Sequence, residues 1–311
     1  MRFASALACP ASLKGVLSAA AAADALGEGF AQAGVECRRL PVADGGDGTV
    51  TALCGGDVGH YDVHDAFGRP RSALVGRHGD AFVVEAAQVL PLDQDRLDPL
   101  AASSRGLGEL LALIGASRLL VGLGGTATMD AGAGLLDELA ALSCPTTVLC
   151  DVQTTLYDAP RLFGPQKGAM PAQVAELEAR FRAFARLAPY AELPGSGAAG
   201  GLGAALASLG AKLAPGAATV LDLVGFDPRS ADLVVTGEGR VDATTTEGKA
   251  PAEVVRRCRD AGVPCVVFGG VVEQPLADAE TVSLSGDPAR ARDDLVELGL
   301  RLGTRLLDAA R

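Results

Sequence analysis

The chain has 311 residues, 49% of them hydrophobic, enough for one large α/β domain or two smaller ones with cores of their own. Its net charge of −11, from 27 basic and 38 acidic residues, repels polyanions and argues against nucleic acid or an acidic membrane surface as a partner. No apolar run approaches the roughly 20 residues that span a bilayer, and forty glycines with only 4% aromatic residues suit the tight loops of a layered α/β enzyme.

Short β-like runs at 3–8, 36–40, 81–87, 118–122, 146–150, 232–236, 263–268 and 280–284 alternate with helical patterns, which predicts parallel or mixed sheets. The opening Ala6-Leu7-Ala8-Cys9 has a faint lipoprotein-signal character, but its apolar stretch is too short for a signal and reads as a first strand. Ser18 is a good N-cap for a helix with Leu26 and Phe30 on one face and Gly34 as its stop. A short helix follows at 49–53, with Asp44 or Asp47 as its candidate cap.

The stretch 55–71, with His60 and His64, has weak periodicity and reads as the crossing into a second domain. All three histidines, His78 included, read as surface or loop residues. Pro171 can open a helix whose buried stripe is Val174, Leu177, Phe181 and Phe184. The return to the first domain is expected near Gly225, so that one domain comprises 1–58 plus 226–311 and the other 59–225. A closing helix at 289–310 carries leucines at 295, 298, 302 and 306 and should dock on a sheet.

Seven cysteines with no C-x-x-C pair read as reduced thiols of a cytoplasmic protein. Lysine is scarce. Of the 27 basic residues only Lys14, Lys167, Lys212 and Lys249 are lysines, and three of these adjoin a glycine, where an ammonium can meet a ligand beside bare backbone.

Four glycine loops sit at a strand end or a helix start, where free N–H groups favour anions. They are PVADGGDGTV at 41–50, GLGGTATMDAGAG at 122–134, GSGAAGGLGAAL at 195–206 and TGEGRVDATTTEGKAP at 236–251. The third matches G-x-G-x-x-G without a preceding strand. The second matches G-x-G-x-x-A but runs into Thr-Ala-Thr-Met-Asp where a helix should start, so neither makes a convincing dinucleotide fold. A Walker A loop is excluded as well, because Ala243 and Ala250 occupy its first glycine and final Ser/Thr positions. What remains is carboxylates mixed with cations, the combination phosphoryl transfer needs to hold Mg²⁺, neutralise phosphate charge and accept a hydroxyl proton.

Five motifs in this order, PVADGGDGTV, GLGGTATMDAGAG, LFGPQKGA, PGSGAAGGLGA and VVTGEGRVDATTTEGKAP, resemble those of bacterial glycerate kinases of the first type, across nearly the whole chain. The resemblance implies transfer of the γ-phosphoryl group of ATP, with Mg²⁺, to a hydroxyl of D-glycerate, usually giving 2-phosphoglycerate. It also implies a Rossmann-like three-layer α/β domain built from both chain ends, an inserted second α/β domain, and a site in the cleft. The chain departs from the family pattern at Ala11, where a carboxylate is expected, at Met129 in place of an asparagine, and at Gln153–Thr155 in place of Asp-Asn-Pro.

Asp130 is the first candidate for general base or orienting carboxylate, with Asp151 next and Lys14 beside them as a catalytic cation. Asp44 and Asp47, with Gly45 and Gly46 between them, are candidates for metal or substrate positioning, and Glu238 joins them in the metal set. Lys14, Lys167 and Lys249 are assigned to phosphates or the glycerate carboxylate. Glu238, Arg240 and Asp242 are assigned to the cleft wall, and Gly124, Gly125, Thr126, Gly197, Gly200 and Gly201 to phosphate or substrate binding. The expected partners are a small hydroxy acid and ATP, with no nucleic acid and no membrane, and a homodimer stands as the alternative to a monomer. Two rival readings are a catalytically impaired family member that binds a nucleotide or small acid, favoured by the departures, and a nicotinamide-dependent oxidoreductase, resting on the two glycine fingerprints.

Overall fold

A computed structural model describes residues 4–309, apart from the side chains of Thr246 and Glu247. The N-terminal segment contributes β1 (Ser5–Pro10), α1 (Ala19–Gln32) and β2 (Glu36–Arg39). The middle of the chain carries α2 (Thr49–Cys54), β3 (Val58–His64), β4 (Pro70–His78), β5 (Ala81–Glu85), α3 (Ala86–Val89) and α4 (Arg105–Leu113). It continues through β6 (Arg118–Gly122), α5 (Ala133–Glu138), β7 (Thr146–Cys150), α6 (Ala159–Phe163), α7 (Pro171–Ala183), α8 (Ala198–Ser208), β8 (Lys212–Pro215) and α9 (Gly216–Leu223). The C-terminal segment adds β9 (Leu233–Val241), α10 (Ala250–Ala261), β10 (Cys265–Val272), β11 (Glu280–Ser283) and α11 (Ala291–Ala309). Phe3 and Ala310, at the outer limits of the expected first strand and last helix, lie outside the described residues.

The chain forms two compact units, Met1–Ala43 with Val220–Arg311, and Asp44–Thr219. The divisions fall at 43/44 and 219/220, where sequence led us to expect 58/59 and 225/226. The physical reason for the first difference is that α2 packs on β4 and β5, which takes the PVADGGDGTV loop from Asp44 onward into the middle unit.

The unit built from both chain ends is an α/β layer structure around a parallel sheet of order β11-β10-β9-β1-β2. Alternation along β1 separates its faces. Ala6 and Ala8 share a core with Leu26 and Phe30 of α1, Leu295, Leu298 and Leu302 of α11, and Phe268 of β10, while α10 packs on β9 and β10 and its Cys258 faces Cys9. Ser18 caps α1 as its sequence predicts, its Oγ accepting from Ala21 N at 3.1 Å. The apolar stripe of α11 thus reaches sheet residues through a core it shares with α1.

The middle unit is a mixed sheet of order β3-β4-β5-β6-β7-β8, with β3 and β4 antiparallel to their neighbours and β5 to β8 parallel. Helices α4, α5 and α8 share a core with β4 to β7. Leu177 and Phe181 of α7 are buried in a smaller cluster with Leu156 and Leu187, and Val174 and Phe184 pack partly against it. The weakly periodic stretch around His60 and His64 is a strand, β3, exposed along most of its length.

Candidate active site

In the parallel unit the strand order reverses at β1: the chain runs outward to β2 on one side and to β9, β10 and β11 on the other. Ligands of open parallel sheets lie outside the carboxyl ends of the strands at such a reversal. A crevice of about 410 Å³ occupies this position. Its walls include Ser12–Lys14 after β1, Glu238–Arg240 of β9, Lys249 before α10, Val271 of β10 and Asp287. Glycines 237 and 239 do not break β9, which stays paired with β10 to Val241, so Glu238 and Arg240 stand on a strand rather than on a loop.

Glu238 accepts from Thr245 Oγ1 at 2.8 Å and from Lys249 Nζ at 3.4 Å, which fixes an ammonium on the crevice wall. Asp242 caps the turn Ala243–Glu247, accepting from Thr244 Oγ1 at 2.6 Å and Thr244 N at 2.8 Å. Those bonds, with the charge of Lys249, hold its carboxyl below the usual range despite some burial. Arg240 is ion-paired with Glu273. Lys14 is exposed on the wall, as are Val16 and Val271, which are 39% and 41% exposed.

In the middle unit three loops meet at Gly124. Its N–H donates to the Gly45 carbonyl at 3.4 Å, and a Cβ there would stand 2.5 Å from Gly46 Cα and 3.0 Å from Asp151 Oδ2, so a side chain would block the approach of both neighbours. A small pocket of about 70 Å³ opens beside it, with Gly125, Thr126, Asp151, Lys167 and Ala199 in its lining. Lys167 is 4% exposed, and its Nζ donates to the Thr128 carbonyl at 2.8 Å. Burial pushes its ammonium down to about 8, and the Asp151 and Asp130 carboxylates oppose the shift. Thr126 Oγ1 is buried and has no hydrogen-bond partner among the described residues.

Asp130, the first candidate for general base or orienting carboxylate, accepts four hydrogen bonds from the protein. Its Oδ2 accepts from Ser104 N at 2.7 Å, Ser104 Oγ at 2.8 Å and Gly134 N at 3.2 Å, and its Oδ1 from Gly132 N at 3.0 Å. These bonds tie the entry of α5 to Ser104, and they leave Asp151 as the carboxylate lining the pocket. Two glycines of the third loop also donate their N–H groups within the protein. Gly197 N donates to Thr154 O at 2.9 Å and Gly201 N to Gly197 O at 3.3 Å. Residues 199–201 are left-handed, with φ of 52°, 68° and 94°, and a Cβ at Gly200 would collide with the Thr128 carbonyl. Gly197 and Gly201, expected to bind phosphate or substrate, thus have their N–H groups engaged within the protein, and Gly200 packs on the second loop.

Asp44 spends Oδ1 on Gly46 N at 3.1 Å, and Asp47 is exposed. Neither caps α2. Its N-cap is Gly48 in a left-handed conformation, and the carboxylate that serves the helix is Glu85, whose Oε1 accepts from Val50 N at 2.5 Å. Burial raises the Glu85 carboxyl above its ordinary range; the Val50 bond opposes this and the Asp47 charge adds to it. Sequence reasoning missed Glu85, although a lone carboxylate closing the buried run Ala81–Glu85 is a readable signal. Ser104 was missed too and carries no such mark. Among the described residues no group of three or more His, Cys, Asp or Glu side chains is arranged to hold a metal ion.

Fold and donors together define a class: an α/β enzyme with cations placed for small anionic molecules. A model of the glycerate kinase family matches residues 6–144 and 140–286. The glycerate kinase of Bacillus subtilis is 35% identical over 85% of this chain and 84% of its own length, and the glycerate 2-kinase of Escherichia coli is 34% identical over 84% of each. A crystal structure provisionally named glycerate kinase 2, from Salmonella typhimurium LT2, superposes with a TM-score of 0.84 at 29% identity, covering 99% of this chain and 100% of that one. The chain belongs to the glycerate kinase family. The oxidoreductase reading falls with this, since Gly122 closes β6 with no helix following at once, and the fingerprint at 195–200 has no strand before it.

Proposed function

We propose that this protein is a cytoplasmic ATP-dependent kinase that transfers the γ-phosphoryl group to a hydroxyl of D-glycerate, giving 2-phosphoglycerate. The observation that carries the reading is the crevice at the β1/β9 reversal, where cations and apolar surface share one wall in a chain of this family. About 410 Å³ is within the size of small-molecule sites, on the order of 300–1,000 Å³. Val16, Val271 and Leu284 suit the base, while Lys14 and Lys249 suit the phosphates.

Mg²⁺ in phosphoryl-transfer sites keeps several waters and takes one or two protein carboxylates, so Glu238 on the crevice wall would hold a metal that arrives with the triphosphate if its long 3.4 Å contact with Lys249 gave way to it. Bound there, it supplies charge neutralisation on the phosphate oxygens. In the transfer the acceptor oxygen forms its bond to the γ-phosphorus, the bond to the bridging oxygen breaks and ADP leaves. Asp151 accepts the hydroxyl proton. Incubation with Mg-ATP and D-glycerate, read by ADP release and phosphorus NMR, should give 2-phosphoglycerate. ADP release that does not depend on D-glycerate would overturn the assignment, and a 3-phosphoglycerate signal would overturn the stated product.

A further inference from the structure

We propose that the small pocket lined by Gly124, Gly125, Thr126, Asp151 and Lys167 is the recognition site for the carboxylate of a small 2-hydroxy acid, with Thr126 Oγ1 and Lys167 Nζ as its donors. The choice of substrate rests on the kinase reading above; the pocket itself rests on independent geometry. The first observation is the orphaned hydroxyl. A buried Thr126 Oγ1 with no partner among the described residues carries a desolvation cost that a ligand's oxygen in this pocket would offset. The second is Lys167, an almost wholly buried ammonium with three donors, one of which goes to the Thr128 carbonyl.

The pocket's size and charge choose among anions. At about 70 Å³ it admits one planar group and not a nucleotide. Gly124 and Gly125 carry no side chains, so the wall facing that group is bare backbone. Lys167 brings one positive charge and Asp151 stands in the same lining, so a singly charged carboxylate balances the site, whereas a phosphate dianion would bring its second charge against the Asp151 carboxylate. A hydroxyl on the neighbouring carbon can then donate to Asp151. One pocket thereby recognises the acid and orients its alcohol.

The test is the isosteric Thr126→Val variant, in which no hydrogen bond among the described residues is lost. Its melting temperature should match or exceed that of the parent, KM for D-glycerate should rise roughly tenfold to a hundredfold, and KM for Mg-ATP should stay unchanged. Thr126→Ser should restore the parent KM. Glycerol, with the hydroxyls but no carboxylate, should not be phosphorylated at concentrations where D-glycerate saturates. Parent-like KM for D-glycerate in Thr126→Val, efficient use of glycerol, or inorganic phosphate competing with D-glycerate in the parent and losing affinity in the variant would each overturn the carboxylate site. Absence of turnover in the parent would instead sink the kinase reading. Calorimetric titration of D-glycerate then still decides the pocket: heat in the parent that Thr126→Val abolishes supports it, and none in the parent refutes it.

Discussion

Lys167 ties the pH behaviour of the middle unit to a single ammonium. Burial brings its pKa down to about 8, and the charged groups facing it are Asp151 and Asp130. The sign follows from which form binds: below about 8 the ammonium is charged and attracts a carboxylate, above it the neutral amine does not. KM for D-glycerate should therefore be flat from pH 6.5 to about 7.5 and climb towards tenfold per pH unit beyond the pKa. Lys167→Arg, which stays charged throughout this range, should raise KM by misfit yet flatten the alkaline limb; an unchanged limb in that variant would place the titration elsewhere. Asp130, by contrast, makes bonds that hold the fold. Removing its four accepted hydrogen bonds in Asp130→Ala should cost roughly 2–4 kcal/mol and lower the melting temperature by several degrees. A parent-like melting curve with a thousandfold loss of kcat would return Asp130 to the chemistry.

Elements were legible where burial imposed a period and illegible where it did not. The stripe of α11 and the N-cap of α1 follow from spacing and from Ser18 alone. Strand β3 gave no alternation because most of its residues face water, and β9 hid its last turn of pairing behind two glycines that usually end a strand. The third loop has a tertiary role that no local pattern showed. Its glycines look like phosphate donors, and they also make the interlock between α8 and the second loop, where Ala131 N donates to Gly200 O at 3.0 Å. That distinction is measurable. Gly200→Ala must carry a Cβ at a left-handed φ and against the Thr128 carbonyl, beside the residues that hold Lys167. It should lose on the order of 1–3 kcal/mol in chemical denaturation, whereas Gly115→Ala, with nothing near its Cβ position, should change stability by well under 1 kcal/mol. Equal effects at the two positions would remove the interlock from the explanation.

At the scale of the molecule, net charge opposes the chemistry proposed for it. A chain at −11 repels glycerate and ATP alike, so binding must rely on local cations, and the structure gives each unit its own: Lys14 and Lys249 in one, Lys167 in the other. The scarcity of lysine in an arginine-rich sequence already marked these three, while the assignment of each to a unit depended on tertiary pairing that no local pattern encodes. The division of labour predicts where each substrate protects the backbone. Amide hydrogen exchange with Mg-ATP should slow at 12–14, at 238–249 and near 284–288, the segments that line the crevice of the parallel unit. D-glycerate alone should slow exchange at 124–131 and 151–167 in the middle unit, and Thr126→Val should abolish that second footprint without altering the first. Protection by D-glycerate confined to 238–249 would mean that both substrates use the parallel unit, and Lys167 would then be a buried charge kept for some other reason.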